Sequence, residues 1–284
     1  MTSWLTPELS LCGQVFREGV AEGKRPSGKI CLGFDLGTTN MVLVALDEEG
    51  FPIGAVMEPS KASVRDGVVV DYLEAIRGMK ACLDRLSREI PIDESVTVGA
   101  AAYPPGISSK TAKVCANVVE ALGFECGGLY EEPSAAAEAL GMSDGVIVDI
   151  GGGTTGISVV RDEKVIFSSD EPTGGTHMTL VLAGALGIDF DRAEEEKRKN
   201  RNRYAPLLKP VLEKMATIVR NGLKRCPESD GLPVVLVGGG ADIVGVEDVM
   251  KPIIGRPVSM APETLLVTPL GIARSLWRNR YGSR

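Results

Sequence analysis

Apolar positions recur at two periods along the chain, and the switches between them mark the elements. Leu5, Leu9, Cys12, Phe16 and Val20 fall three or four residues apart, which is one face of an amphipathic helix. Thr6-Pro7 suits its N-cap and first helical position. Gly23 to Gly28, with Pro26 inside, reads as a linker. From Lys29 the pattern changes to short apolar runs. Those at 30–34, 41–46 and 53–57 predict a β-meander turning at Glu48-Glu49-Gly50. A short segment at 65–70 leads to a helix over 72–89. A strand over 95–103 ends at Pro104-Pro105-Gly106, and a helix over 108–122 is closed by Gly123. Glu131-Glu132-Pro133 precedes an alanine-rich helix over 134–140.

The second half repeats this alternation. Strands are expected at 145–150, 156–161 and 164–169, then helices at 177–186, 191–203 and 205–225. A strand at 233–237 runs into Gly238-Gly239-Gly240, and helices near 245–251 and over 269–279 finish the chain. Strand clusters alternating with helices predict an α/β protein.

Composition narrows the class. The 284 residues are 44% hydrophobic and 24% charged, ordinary for a globular chain with room for one large domain or two modest ones. A net charge of −7 argues against coating nucleic acid or an anionic membrane. The basic stretches 192–203 and 274–284 read as solvated faces. No apolar run reaches the roughly 18 residues of a membrane span, and the N-terminus lacks a basic-then-apolar signal. Six cysteines, with no Cys-x-x-Cys pair and only His177 to join them, predict reduced core thiols in a cytoplasmic protein rather than a zinc cluster.

The chemistry lies in the glycines. Gly23…Gly28-Lys29 approaches a Walker loop, but Ile30 stands where a hydroxyl should hold magnesium, and a strand follows instead of a helix. Gly151-x-Gly153-x-x-Gly156 matches the dinucleotide fingerprint, yet β-branched Ile157-Ser158-Val159-Val160 continues as strand where that fingerprint must open a helix. An internal repeat explains the segment better. LGFDLGTTNMVLV at 32–44 aligns with VIVDIGGGTTGISVV at 146–160, each copy being strand, Asp, glycine-and-threonine turn, strand. Such turns present consecutive backbone N–H groups as an anion-binding nest, and threonine hydroxyls add donors. Two facing copies would offer two phosphate clamps and two carboxylates, Asp35 and Asp149, suited to ATP with a hydrated magnesium ion. A third cluster, Gly238-Gly239-Gly240 between strand and helix, would let a base or ribose approach bare backbone.

These loops resemble the actin-like ATPase superfamily, which includes actin, sugar kinases and heat-shock chaperones. DLGTTN at 35–40 resembles its first phosphate motif, DIGGGTTG at 149–156 the second and LVGGGADI at 236–243 the adenosine motif. EEPSAAAEALG at 131–141 and VTPLGIARS at 267–275 resemble its two connecting helices. VRDGVVVDYLEAI at 64–76, YPPG at 103–106, VDIGGGTTGISVVRDEKV at 148–165 and SSDEPTGGTHMTLVLAG at 168–184 are similar to the EutJ family of ethanolamine-utilisation proteins, which is chaperone-like.

The resemblance implies a two-lobed actin-like fold. It divides into an N-terminal helix and linker (1–28), a first lobe (29–142, small insertion 57–94), a second lobe (143–266, helical insertion 176–231) and a C-terminal helix returning to the first lobe (267–284). It implies that Asp35 and Asp149 hold magnesium through water. Gly37, Thr38 and Thr39, with Gly151, Gly152, Gly153 and Thr154, would bind the phosphates of ATP or ADP, and Gly174 and Gly175 would add a contact. Glu132 would orient or deprotonate the attacking water. Glu194 and Lys197 would contact adenosine or else form a solvated ion pair, and Gly238, Gly239 and Gly240 would line the adenosine site.

Two departures stand out. Where the chaperones have a serine four residues beyond that lysine, this chain has Arg201, and where their adenosine loop has an arginine, it has Asp242. No catalytic lysine can be assigned, Lys61 and Lys80 both fitting poorly. The expected function is a slowly hydrolysing, ATP-dependent chaperone-like protein acting on ethanolamine ammonia-lyase or on microcompartment shell or cargo proteins. A filament or scaffold protein, a small-molecule kinase and a non-hydrolysing adaptor are the rivals. His177 is expected to cap the helix that follows it, and the N-terminal helix to dock a partner or pack on its own body.

Overall fold

The computed structural model describes residues 4–19, 28–60, 64–65 and 68–282, so the linker around Pro26, Val20 and Lys61 lie outside the described residues. The chain forms two compact units, residues 1–143 with 265–284, and residues 144–264.

In the first unit, β1 (Ile30–Leu36), β2 (Asn40–Leu46) and β3 (Pro52–Pro59) form an antiparallel meander. Two short strands, β4 (Val64–Arg65) and β5 (Val68–Val69), pair with each other. β6 (Thr97–Tyr103) and β7 (Glu125–Glu131) then add in parallel beside β1, giving the order β3-β2-β1-β6-β7. The pattern at 125–131 predicts no strand, because this edge strand carries Gly127-Gly128 and only half-buried or exposed side chains. β1 and β2 are apolar almost throughout because both their faces are covered.

Helix α2 (Tyr72–Leu86) puts Ala75, Met79, Cys82, Leu83 and Leu86 into the same core as Leu32, Phe34 and Leu43. Ile90, just beyond this helix, joins the same core. α3 (Ser109–Ala121) covers β6 and β7, with Ser108 accepting from the Thr111 amide as its N-cap.

The N-terminal helix α1 (Pro7–Glu18) is capped by Thr6, whose hydroxyl accepts from the Leu9 amide at 3.1 Å and donates to the Ala139 carbonyl at 3.1 Å. Its Leu9, Cys12 and Val15 are buried against β3 and neighbouring helices, and Glu8 pairs with Arg274 at 2.7 Å. This helix packs on its own body. Leu5, expected on the buried face, is half exposed, because the chain turns away at Thr6 before the helix begins.

The alanine-rich α4 (Glu132–Leu140) and the final α9 (Val267–Tyr281) pack together on this unit. A Cβ on Gly33 would meet Ala273 N at 2.8 Å, and one on Gly271 would overlap the Ala135 backbone. Bare backbone at both positions sets how closely α9 approaches β1 and α4. Trp277 donates to the Glu48 carbonyl at 3.0 Å and lies over Gly50, whose φ of +86° closes the meander's turn.

The second unit repeats the plan. β8 (Gly145–Ile150), β9 (Thr155–Arg161) and β10 (Lys164–Glu171) form an antiparallel meander, and β11 (Val234–Val237) and β12 (Val258–Met260) add in parallel, in the order β10-β9-β8-β11-β12. Position for position this is the order of the first sheet, so the repeat seen in two turns extends to whole sheets. Short β12, absent from the expected elements, has only three residues to show a pattern.

Helices α5 (Gly175–Leu186), α6 (Phe190–Lys199) and α7 (Arg201–Leu223) fill 175–223. The break between α6 and α7 falls at Asn200, earlier than expected. α7 runs through Pro206 and Pro210, both on its exposed side. Leu208, Leu212, Met215, Ala216, Val219 and Leu223 join the main core under the sheet. Leu182, Ala193 and Tyr204 form a separate small cluster. α8 (Val246–Ile254) packs beside α7 and adds Val246, Met250 and Ile254 to the same core. Among the described residues no helix is long and apolar enough to cross a membrane.

Candidate functional site

In the second unit three glycine segments far apart in sequence meet around the end of β8. Asp149 sits one residue before the strand ends, paired with Gly156 across the hairpin and with Val237 on the parallel side. Gly151 to Thr154 form the turn, closed by a Gly151 amide to Thr154 carbonyl bond of 2.9 Å. Buried Thr155 donates its hydroxyl to the Thr173 carbonyl at 2.6 Å and so ties the hairpin to the approach of α5.

Successive carbonyls of the turn are held from outside. Ile150 O accepts from Gly240 N at 2.7 Å, Gly151 O from Gly175 N at 2.9 Å, and Gly152 O from Thr176 N at 2.8 Å. A trans peptide points its N–H away from its own C=O. With the Gly151 and Gly152 carbonyls turned toward the start of α5, the Gly152 and Gly153 amides face the other way. Two successive amides facing one way form an anion-binding nest.

The segments touch so closely that side chains would not fit. A Cβ on Gly174 would lie 2.7 Å from both the Gly151 and Gly152 carbonyl oxygens, and one on Gly240 would lie 2.7 Å from the Ile150 oxygen. Gly238, at φ +85°, would push a side chain onto the Asp149 carboxylate. Gly239, between them, is exposed. The residues thus fit a hard, anionic ligand, with bare backbone donors and a carboxylate able to take a hydrated cation.

Of the two residues expected to add a phosphate contact, Gly174 and Gly175, the second donates its amide to the Gly151 carbonyl. Glu194 and Lys197 are brought to the same place. They are paired at 2.6 Å with side chains only 20% and 13% exposed, which is not a solvated surface pair. Burial pulls the Lys197 ammonium below its ordinary value, opposed by Glu194 beside it. Burial raises Glu194, but hydrogen bonds from Lys197 and Thr179 and the Lys197 charge outweigh it and hold the carboxyl below 4.5.

The two departures, Arg201 and Asp242, form an ion pair with each other. His177 donates its amide to the Gly174 carbonyl at 3.0 Å within the first turn of α5. Its side chain is no cap, since Nδ1 is buried without a hydrogen-bond partner.

In the first unit Asp35 occupies the equivalent place near the end of β1, paired with Val42. Gly37 to Thr39 make the turn, and Thr39 O accepts from the Ser60 amide at 2.9 Å. A Cβ on Gly37 would strike the Asn40 carbonyl. Glu132 opens α4 immediately after β7, where Glu131 pairs with Tyr103. The thiol of Cys115 is pushed up to about 12, first by burial and then by charges that include Glu132 and Asp35. The parallel registers, Phe34 beside Ala101 and Tyr103 beside Glu131, put Asp35 and Glu132 at the same end of this sheet. Lys80 is engaged in an exposed ion pair with Asp84 at 3.2 Å on α2.

Sequence reasoning missed Thr179. Its hydroxyl bridges Gly175, Glu194 and Lys197 while fully buried. The available signal was a lone hydroxyl four residues after Gly175 in the otherwise apolar run Met178–Leu182.

Comparison with known proteins agrees with this architecture. The family described as type IV pilus assembly protein PilM matches residues 133–263. Ethanolamine utilization protein EutJ of Salmonella typhimurium is 35% identical over 274 residues, covering 96% of this chain and 94% of its own. The crystal structure of EutJ from Carboxydothermus hydrogenoformans superposes with a TM-score of 0.85 at 39% identity, covering 94% of this chain and 96% of that one. MreB5 of Spiroplasma citri, solved bound to AMPPNP, has a TM-score of 0.72 at 19% identity, covering 87% of this chain and 95% of that one. The last is a likeness of fold alone, and with the duplicated sheets it shows an actin-like fold. On sequence and structure together, the chain belongs to the EutJ family of ethanolamine utilization proteins.

Proposed function

We propose that this chain binds ATP and ADP with magnesium, hydrolyses ATP slowly, and uses that cycle as a chaperone-like protein of ethanolamine utilisation. Its action would be to remodel or reactivate a microcompartment enzyme, ethanolamine ammonia-lyase being the first candidate, or to assist shell or cargo assembly in the cytoplasm. One observation carries the reading: the glycine turn beside Asp149 has its carbonyls drawn back by Gly240, Gly175 and Thr176, which leaves paired amides aimed together. The AMPPNP and ADP in the MreB5 structures support it by fold.

In this reading Gly152, Gly153 and Thr154 grip phosphate in the second unit, and Gly37, Thr38 and Thr39 do so in the first. Asp35 and Asp149 would hold magnesium through water, and the ion would supply neutralisation of the phosphate charge. Glu132 would orient or deprotonate water. Gly238, Gly239 and Gly240 would line the nucleoside side, where the Arg201–Asp242 pair replaces the chaperones' serine and arginine with a different construction.

Calorimetric titration with ATP and magnesium, wild type against Asp149→Ala, tests the reading. Binding that the substitution abolishes or weakens severely is expected, and a wild type that does not bind ATP overturns it. Steady-state phosphate release then separates a hydrolysing protein from an adaptor that only binds.

A further inference from the structure

We infer that Lys197 serves the phosphate end of the ligand as a positioning residue, acting through two peptide planes, and makes no contact with adenosine. This rests on the nucleotide-binding reading above.

A lysine ammonium carries three protons to donate. Lys197 Nζ lies 2.6 Å from Glu194 Oε2, 2.6 Å from Thr179 Oγ1 and 3.0 Å from the Gly175 carbonyl oxygen. All three donors are committed within this cluster, and none is left for a nucleoside hydroxyl. The Thr179 hydroxyl accepts from Lys197, and both Glu194 and the Gly175 carbonyl, the latter at 3.0 Å, lie within reach of its single proton. Glu194 in turn takes Arg198 on its other oxygen at 2.8 Å. The cluster is satisfied internally, and the group it grips outside itself is the Gly175 carbonyl.

That carbonyl belongs to the peptide whose N–H is Thr176. Pulling the oxygen toward Lys197 aims the Thr176 amide the opposite way, onto Gly152 O at 2.8 Å. The Gly152 carbonyl belongs to the peptide whose N–H is Gly153, so the same logic aims that amide into the nest. A cation at the far end polarises both links in one direction, which strengthens the last donor. Glu194 fixes where the ammonium sits, and Thr179 fixes its direction.

The test uses three probes on the full chain: ATP, magnesium tripolyphosphate, and adenosine read by ligand-observed NMR. The variants are Thr179→Val, Thr179→Ser as its conservative partner, and the double change Glu194→Gln with Lys197→Met, which leaves no unpaired buried charge. Thr179→Val and the double variant are expected to lose at least tenfold in tripolyphosphate affinity while adenosine binding holds, and Thr179→Ser is expected to stay near wild type. Unchanged tripolyphosphate binding overturns the inference. So does a selective loss of adenosine, which would make Lys197 a nucleoside contact, or an equal loss of both, which would make the cluster merely structural. Failure of the wild type to bind ATP is a different result, and it overturns the nucleotide reading itself.

Discussion

The junction of the three glycine segments can be tested by adding one methyl group at Gly174. Its Cβ would sit 2.7 Å from the oxygens of Gly151 and Gly152 and 2.9 Å from the Gly152 carbonyl carbon. These are backbone atoms on a turn already pinned by other bonds, so they cannot swing aside as a side chain would. Gly174 has an extended backbone that alanine also adopts, so the clash alone is tested. Overpacking of this kind costs about 1–3 kcal/mol. Relief by separation would break the bonds from Gly175 and Thr176 to the turn, at about 1 kcal/mol each. Gly174→Ala should therefore destabilise the second unit by roughly 2 kcal/mol. Because the broken bonds orient the nest, ATP affinity should fall about tenfold or more, tenfold being about 1.4 kcal/mol.

Gly184→Ala is the control. That position lies inside α5, and a Cβ there meets nothing within 4 Å. It should gain about 0.5–1 kcal/mol from helix propensity and leave ATP affinity unchanged. Urea denaturation and calorimetric titration read both quantities. If Gly174→Ala matches wild type in midpoint and affinity, the segments do not meet as described and the nest is not oriented by α5.

Two further outcomes follow from the same contacts. Glu194 is held below its ordinary 4.5, so its contribution to stability is full above that value and is lost as pH falls through the lower folded value. Glu194→Gln should remove part of the acid-side loss of stability in urea titrations below about pH 4.5, and an unchanged acid limb would contradict the buried pairing. All six cysteines are free, with Cys31 pushed up to about 11 and Cys82 and Cys115 to about 12, in each case first by burial. Native protein at pH 8 should therefore alkylate those three thiols far more slowly than protein in denaturant, and mass spectrometry of tryptic peptides would show rapid native labelling if the burial were wrong.

The sequence alone determined the class and plan of this molecule. Short apolar runs on either side of the Asp35 and Asp149 turns announced two meanders, because a β-hairpin writes its two strands and its turn glycines into adjacent residues. Thr6-Pro7 announced the start of α1 for the same reason, since a cap is a contact over three residues. Strands β7 and β12 were hidden: an edge strand with two glycines and a three-residue strand owe their form to neighbours, not to pattern.

Only the tertiary structure decided what the glycines do. In a linear reading Gly174 and Gly240 are glycines of two separate loops, and folding sets both against the carbonyls of the 150–152 turn, where a Cβ would not fit. Lys197 looks like a surface lysine paired one helical turn away, and folding sets it against Thr179 and Gly175. Local pattern records whether a residue prefers helix, strand or turn. It does not record which distant backbone group will receive a proton, because that depends on where segments far apart in the chain are packed.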